Sequence, residues 1–227
     1  MKIEFKETMD GSHTLYLEEI DEHYHSTYGA VRESQHVFIQ AGFEQCQGKE
    51  ITVLEIGFGT GLNCYLTLLA SLKSSQKVRY YAIEKFPLSV GIWEKLNFCT
   101  FFPDGNPILF SLLHNAAWNR ETEIHPQFLL YKLETDILQT NIFDLPSADL
   151  VYYDAFSPEK QPELWDQSVF VPIYSNMKEG AILVTYCAKG YVRRMLQSVG
   201  FQVERIPGPP GKREMLRARK GVMTTKY

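Results

Sequence analysis

Cysteine is scarce in this sequence and none of it is paired: Cys46, Cys64, Cys99 and Cys187 lie far apart and make no CxxC spacing. That pattern offers neither a zinc ribbon nor a disulfide framework, so the thiols are read as buried or incidental. Long hydrophobic runs are also missing. No window approaches the roughly 18 uncharged apolar residues of a membrane-spanning helix, and the opening MKIEFKETMDGSH has no apolar signal core. A cytoplasmic protein without membrane contact is the expectation. There is no internal repeat, low-complexity tract or linker, and 227 residues suffice for one sizeable domain. We therefore expect a single domain over 1–227, with 1–50 as an amino-terminal hairpin and helix extension and 51–227 as the core. Histidines are scattered, and His23 and His25 have no third ligand nearby. They are read as surface or loop residues, and no metal is expected.

Positive charge is lacking overall, since the net charge is −4, which argues against a protein coated for nucleic acid. Its distribution is uneven. From Cys187 to Tyr227 ten Lys and Arg stand against two acids, a net +8, while the remainder has 13 basic and 25 acidic residues, a net −12. Such asymmetry can steer a polyanion to one end of an acidic body; a solvated basic tail is the plainer alternative.

The hydrophobic pattern changes along the chain. IEFKETMDGSHTLYLEE alternates about Asp10-Gly11, which predicts a hairpin, and HSTYGAVRESQHVFIQAGF predicts a short helix. From Ile51, apolar strands alternate with helices: ITVLEIG, LNCYLTLLASL, VRYYAIE, FPLSVGIWEKLN. FLLYKLE, ADLVYYD and AILVTYC add three strands, YVRRMLQSVG a helix, and FQVERIP and EMLRARK an antiparallel pair. Phe98–Pro126 reads as irregular, with a helix at ILFSLLHNAAW. Alternation of this kind implies a mostly parallel α/β sheet with helices on both faces.

Gly57, Gly59 and Gly61 in VLEIGFGTGLN follow a strand and open a helix, where backbone must approach a ligand without a Cβ in the way. A dinucleotide loop would place Gly at position 62, where this chain has Leu62. The pattern is instead ExGxGxG, which resembles the first motif of class I S-adenosylmethionine-dependent methyltransferases. Glu55 suits a cationic ligand, Glu84 is placed at a strand end to bind ribose hydroxyls, and Asp136 follows the third strand, where it can take the adenine amine. Asp154 completes this series of acids at the fourth strand. In open α/β sheets that edge is where ligands bind. The implied fold is a Rossmann-like, doubly wound, mostly parallel seven-stranded sheet with an antiparallel carboxyl-terminal strand.

Asp154 opens the loop DAFSPEKQPELW, which resembles the Asp/Asn-Pro-Pro-aromatic loops of amino-methyltransferases. Together with YHSTYGAVRESQHVFI, EIGFGTGLN, GYVRRMLQSVGF and GKREML, it resembles the tRNA wobble-uridine methyltransferases of the MnmC and MnmD type over most of the chain. The resemblance implies methylation of the amine of 5-aminomethyl-2-thiouridine, with S-adenosyl-L-methionine as cofactor and the tRNA anticodon arm as partner. It implies Asp154 as the catalytic group. The cofactor would lie against Glu55, Gly57, Phe58, Gly59, Thr60, Gly61, Asn63, Glu84, Lys85, Asp136 and Asp154. The substrate side would be Phe156, Ser157 and Pro158, with Lys160, Arg193, Arg194, Lys212 and Arg213 as candidate RNA contacts. The single-domain form, without the FAD-dependent oxidase domain, is the expected match, so no FAD is expected. Ala155 and Ser157 stand where many relatives have Gly and Ala. For Lys160 a solvated loop role, and for Tyr28, Trp165 and Tyr186 a packing role rather than base stacking, remain open. The rival functions are methylation of another amine, a nicotinamide-dependent dehydrogenase, and a silent RNA-binding module.

Overall fold

The computed structural model describes residues 2–222; Lys226, counted above in the basic segment, lies outside the described residues. Strands β1 (Ile3–Glu7) and β2 (His13–Leu17) pair antiparallel around the Asp10-Gly11 turn, where Gly11 has φ 84°. A two-residue β3 (Glu22–His23) adds to β2. Asp10 Oδ2 accepts from the Arg32 backbone N–H at 3.1 Å and so ties the turn to α1 (Ala30–Ser34), which continues as wider π-helical turns over Gln35–Gln40.

The core then runs β4 (Glu50–Ile56), α2 (Leu62–Ser74), β5 (Lys77–Glu84), α3 (Val90–Trp93), α4 (Pro107–Asn115), β6 (Arg120–His125), β7 (Phe128–Glu134), β8 (Ala148–Tyr153), α5 (Gln167–Asn176), β9 (Met177–Thr185), α6 (Gly190–Val199), β10 (Gln202–Pro207) and β11 (Glu214–Arg219). Eight strands form one sheet in the order β10-β11-β9-β8-β4-β5-β7-β6. Neighbours from β7 through β9 are parallel, while β6, β11 and β10 join antiparallel. Central strands carry apolar residues on both faces because both are covered. Ile51, Val53 and Tyr80 pack with α2 and the amino-terminal segment, whereas Leu54, Ile56 and Tyr153 pack with α5 and α6.

The mostly parallel, doubly wound sheet and the antiparallel last pair agree with the sequence reading. The strand number does not: the sheet has eight strands, not seven. The added strand, β6, lies in the segment whose pattern is irregular. RETEIH buries only Ile124, so this edge strand lacks the apolar alternation that marks half-buried strands. Helix α5 departs from expectation too, because Pro172 interrupts its pattern; Asp166 caps it by accepting from Ser168 N–H at 2.9 Å. Helix α3 covers only four residues of the longer predicted helix.

Helix α4, beside the site, begins with Pro107 and is capped by Asn106 Oδ1, which accepts from Ile108 N–H (3.0 Å) and Leu109 N–H (3.2 Å). Asn106→Ala is expected to lower unfolding free energy by about 1 kcal/mol, read as a lower urea midpoint with an unchanged m-value.

Candidate active site

Five parallel strands point their carboxyl ends at one edge, and two of those ends must nearly touch. Asp154 N–H, just past β8, donates to Ile56 O at the end of β4 (3.0 Å), and Gly57 N–H donates to Ile83 O of β5 (2.9 Å). Gly57 has φ 91°, and a Cβ there would lie 2.7 Å from Asp154 O. Gly61 (φ 72°) precedes α2 and would carry a Cβ 2.7 Å from His114 Nε2. Only glycine turns the chain this tightly against its neighbours.

The resulting cavity, of about 450 Å³, lies above this edge. Seven acidic side chains and two lysines line it, so it favours cations. Glu84 Oε2 accepts from Gly59 N–H (2.9 Å) and Oε1 from Phe86 N–H (2.7 Å), which fixes the carboxylate at the end of β5. Burial pushes Glu84 above the usual carboxylate range, against the pull of these backbone donors. Asp136 pairs with Lys85 (2.8 Å) and accepts from Leu138 N–H (2.9 Å).

Asp154 Oδ2 accepts from Asn63 Nδ2 at 2.8 Å. Burial, followed by the charge of Glu33, raises the Asp154 carboxyl to about 7, while Asn63 and Lys212 pull it down. An acid poised there can hold or release a proton near neutrality. Glu55 sits behind the cavity wall rather than on it. It is fully buried, with the Tyr80 hydroxyl and the Asn63 amide as polar neighbours, and burial, followed by the Asp154 charge, drives its carboxyl well upward against their pull.

Of the other expected cofactor contacts, Gly57, Phe58, Gly59, Thr60, Asn63 and Lys85 line the cavity, whereas Gly61 shapes the turn beneath it. The Phe58 ring is buried edge-on to His114 and Trp118, and Lys132 lies over both Phe58 (5.2 Å) and Trp118 (4.5 Å). Lys132 Nζ donates to His114 O at 2.7 Å, and burial lowers it to about 8.

On the substrate side Phe156 and Lys212 line the cavity, but Ser157, Pro158, Lys160, Arg193, Arg194 and Arg213 do not. Ser157 donates from N and Oγ to Glu22 Oε2, both at 3.0 Å, and Lys160 pairs with Asp21 (3.1 Å). Among the described residues Arg193, Arg194 and Arg213 make no ion pair, whereas Lys189, Arg205 and Arg217 pair with Glu159, Glu214 and Glu204. Trp165 is a packing residue, buried with Nε1 donating to Phe156 O (2.8 Å). Tyr186 Oη donates to Ala155 O (2.9 Å), and Tyr28, 48% exposed, packs on Gly211.

The amino-terminal segment supplies what the sequence does not disclose. Tyr24 stacks edge-on to Phe156 (5.1 Å) and would meet any Cβ on Gly59. His25, expected at the surface or in a loop, is instead buried, and its Nε2 shares a 2.6 Å hydrogen bond with Thr60 Oγ1. Burial pushes it down to about 4, so it is neutral, and a metal role is not needed to explain it. No cluster of three or more His, Cys, Asp or Glu placed to hold a metal occurs among the described residues, nor does any helix long and apolar enough to cross a membrane.

The fold is shared with a solved structure, MNMC2 from Aquifex aeolicus: 29% identity, TM-score 0.79, covering 96% of this chain and 69% of that one. A family model described as S-adenosyl-L-methionine-dependent methyltransferase matches residues 116–221. Over that segment the chain is similar to the S-adenosylmethionine-dependent methyltransferases. Curated relatives of this chain include proteins named tRNA 5-methylaminomethyl-2-thiouridine biosynthesis bifunctional protein MnmC. That of Cupriavidus metallidurans is 31% identical over 91% of this chain, and that of Ectopseudomonas mendocina 32% identical over 85%. The chain spans about a third of their length (32% and 31%). S-adenosylmethionine is the cofactor, and the residues fit it: a Cβ-free cradle, a fixed carboxylate at the end of β5 and a cavity rich in acids for a cation.

Gly57→Ala is expected to force β4 and β8 apart. Calorimetric titration with S-adenosylhomocysteine would show binding weakened at least about tenfold, and the melting temperature would fall; unchanged binding would contradict the tight approach at Asp154.

Proposed function

We propose that this methyltransferase transfers a methyl group to the side-chain amine of 5-aminomethyl-2-thiouridine at the tRNA wobble position, giving 5-methylaminomethyl-2-thiouridine. The observation that carries the reading is Asp154: a carboxyl raised to about 7, held by Asn63, in the cavity formed beside the glycine loop. The names of the MnmC relatives support the choice of substrate.

When bound, the cofactor supplies an electrophilic methyl group on a sulfonium. The Gly57–Gly61 backbone with Thr60 and Asn63 would cradle it, Glu84 would accept hydrogen bonds from its ribose hydroxyls, and Asp136, held by Lys85, would take its adenine amine. Asn63 orients the Asp154 carboxylate, which accepts a hydrogen bond from the incoming amine and then the proton released as the new N–C bond forms. Only a neutral amine has the lone pair to attack, so the acceptor must itself be ionised. The aromatic edge of Phe156, braced by Tyr24, forms the wall against which the base lies. Ser157 and Pro158 shape the same loop without facing the cavity.

The anticodon arm brings phosphates, and the arginines outside the cavity suit them. Arg193, Arg194 and Arg213 would serve as backbone contacts that fix register, while the splayed base enters the pocket. Lys160, tied to Asp21, is a weaker candidate. The reaction is assigned to the cytoplasm, with tRNA as the partner.

The test is labelled S-adenosylmethionine with tRNA lacking the methyl group, followed by nucleoside analysis. Label is expected on the wobble side-chain amine; label elsewhere, or none with competent cofactor binding, overturns the assignment. The sign of the pH effect follows from the raised Asp154 value: the carboxylate is the minor form below about 7 and the major form above it. For the free enzyme kcat/KM is therefore expected to climb through about pH 7. Asp154→Asn should abolish that limb and lower kcat by roughly 100-fold or more.

A further inference from the structure

Lys212 is by charge a candidate phosphate contact, yet its ammonium is turned inward. Its Nζ lies 2.6 Å from Glu33 Oε1 and 4.0 Å from the centre of the Tyr186 ring. Glu33 is itself buried, 8% exposed at the side chain, and its other oxygen accepts from Ser26 N–H at 2.7 Å. Tyr186 in turn donates to Ala155 O, next to Asp154. Glu33, Lys212 and Tyr186 all line the cavity that Asp154 lines. A buried, doubly bonded carboxylate holding a lysine over an aromatic face is too constrained for a surface phosphate clamp.

We propose that Glu33 is a positioning residue for the proton acceptor: it holds the Lys212 ammonium against Tyr186 and away from the Asp154 carboxylate. The inference rests on the reading of Asp154 as the group that takes the amine proton. Were Lys212 free to pair with Asp154, the acceptor would be locked as a weakly basic carboxylate with its lone pairs engaged. Among the described residues no ion pair joins the two.

The groups facing Asp154 come from every element packed around it. Asn63 of α2 donates to it; Glu55 of β4 lies behind it; Glu84 of β5, Glu22 of β3 and Glu33 of α1 bring negative charge to the cavity; Tyr186 after β9 braces its loop; Lys212, between β10 and β11, is the cation. After burial, the Glu33 charge is the largest influence raising the Asp154 carboxyl, and Lys212 acts in the opposite sense. Removing Glu33 therefore acts twice in one direction: a negative neighbour is lost and a lysine is released. Removing Lys212 acts in the other.

The experiment is a set of single-turnover pH–rate profiles on tRNA at saturating S-adenosylmethionine for the wild type, Asp154→Asn, Glu33→Gln and Lys212→Met, each with its KM for tRNA. Relative to the wild-type rising limb, wherever it lies, Glu33→Gln is expected to move it down by about one pH unit and Lys212→Met up by about as much. KM for tRNA and its salt dependence should stay within about twofold of the wild type in Lys212→Met, since a lysine that neutralised a phosphate would lower the salt slope on removal. Limbs that coincide with the wild type, or a Lys212→Met defect confined to KM and relieved at low salt, overturn the proposal. If Glu33→Gln does not fold, the direction of the Lys212→Met shift decides alone. A limb that persists in Asp154→Asn would instead remove the reading of Asp154 on which the proposal rests, and so the two failures are distinguishable.

Discussion

The approach of β4 to β8 at their carboxyl ends is the constraint on which the rest of the structure depends. Gly57 rests against the Asp154 carbonyl with no room for a side chain, and the Asp154 N–H reaches Ile56 O. Because these two ends are locked, the cofactor loop and the acceptor loop share one wall, and Asn63 at the start of α2 can reach across to the Asp154 carboxylate. Preorganisation of this kind converts a meeting of groups into a fixed geometry before any ligand arrives. The cost is entropic: Gly57, Gly59 and Gly61 adopt left-handed φ values without strain but give up more chain freedom on folding than other residues would.

A second theme is the handling of negative charge. The cavity gathers acids on successive strand ends, and each is treated differently. Glu84 is met by two backbone N–H groups, Asp136 by Lys85, Glu33 by Lys212 and Ser26, Glu22 by Ser157. Among the described residues Glu55 is met by no charged or backbone donor, and burial drives its carboxyl well above the usual range. Asp154 falls between these limits. One cavity thus sets like carboxyls apart through burial and neighbours rather than through residue type.

Sequence alone discloses what chemistry forces into residue identity. The spacing of Gly57, Gly59 and Gly61, Leu62 in place of a fourth glycine, and acids at strand ends are all legible, as is the parallel sheet written in ITVLEIG and ADLVYYD. The parts that stay hidden depend on partners distant in the chain. His25 looks polar and exposed until Thr60, 35 residues on, supplies its hydrogen bond. Glu22 lies in a two-residue strand and Glu33 in a short helix, and nothing in either segment's pattern tells that its acid faces the cavity. Strand β6 is too polar and helix α5 too interrupted by Pro172 for pattern to find either. Charge alone marks Lys212 as an RNA contact, and only its pairing with Glu33 and its place over the Tyr186 ring separate an inward clasp from an outward one.

The Glu33–Lys212 pair joins residues 179 apart, one before the first strand of the large sheet and one in the turn between its last two. A ribosome-bound chain therefore has the cofactor loop long before it has the lysine that completes the cavity wall, and the closing contact must await the carboxyl-terminal hairpin. Fragments that stop short of that hairpin would expose the cluster of buried acids to water. Assembly of the acceptor side of the pocket is in this sense a late event of synthesis, and a finished pocket reports a finished fold.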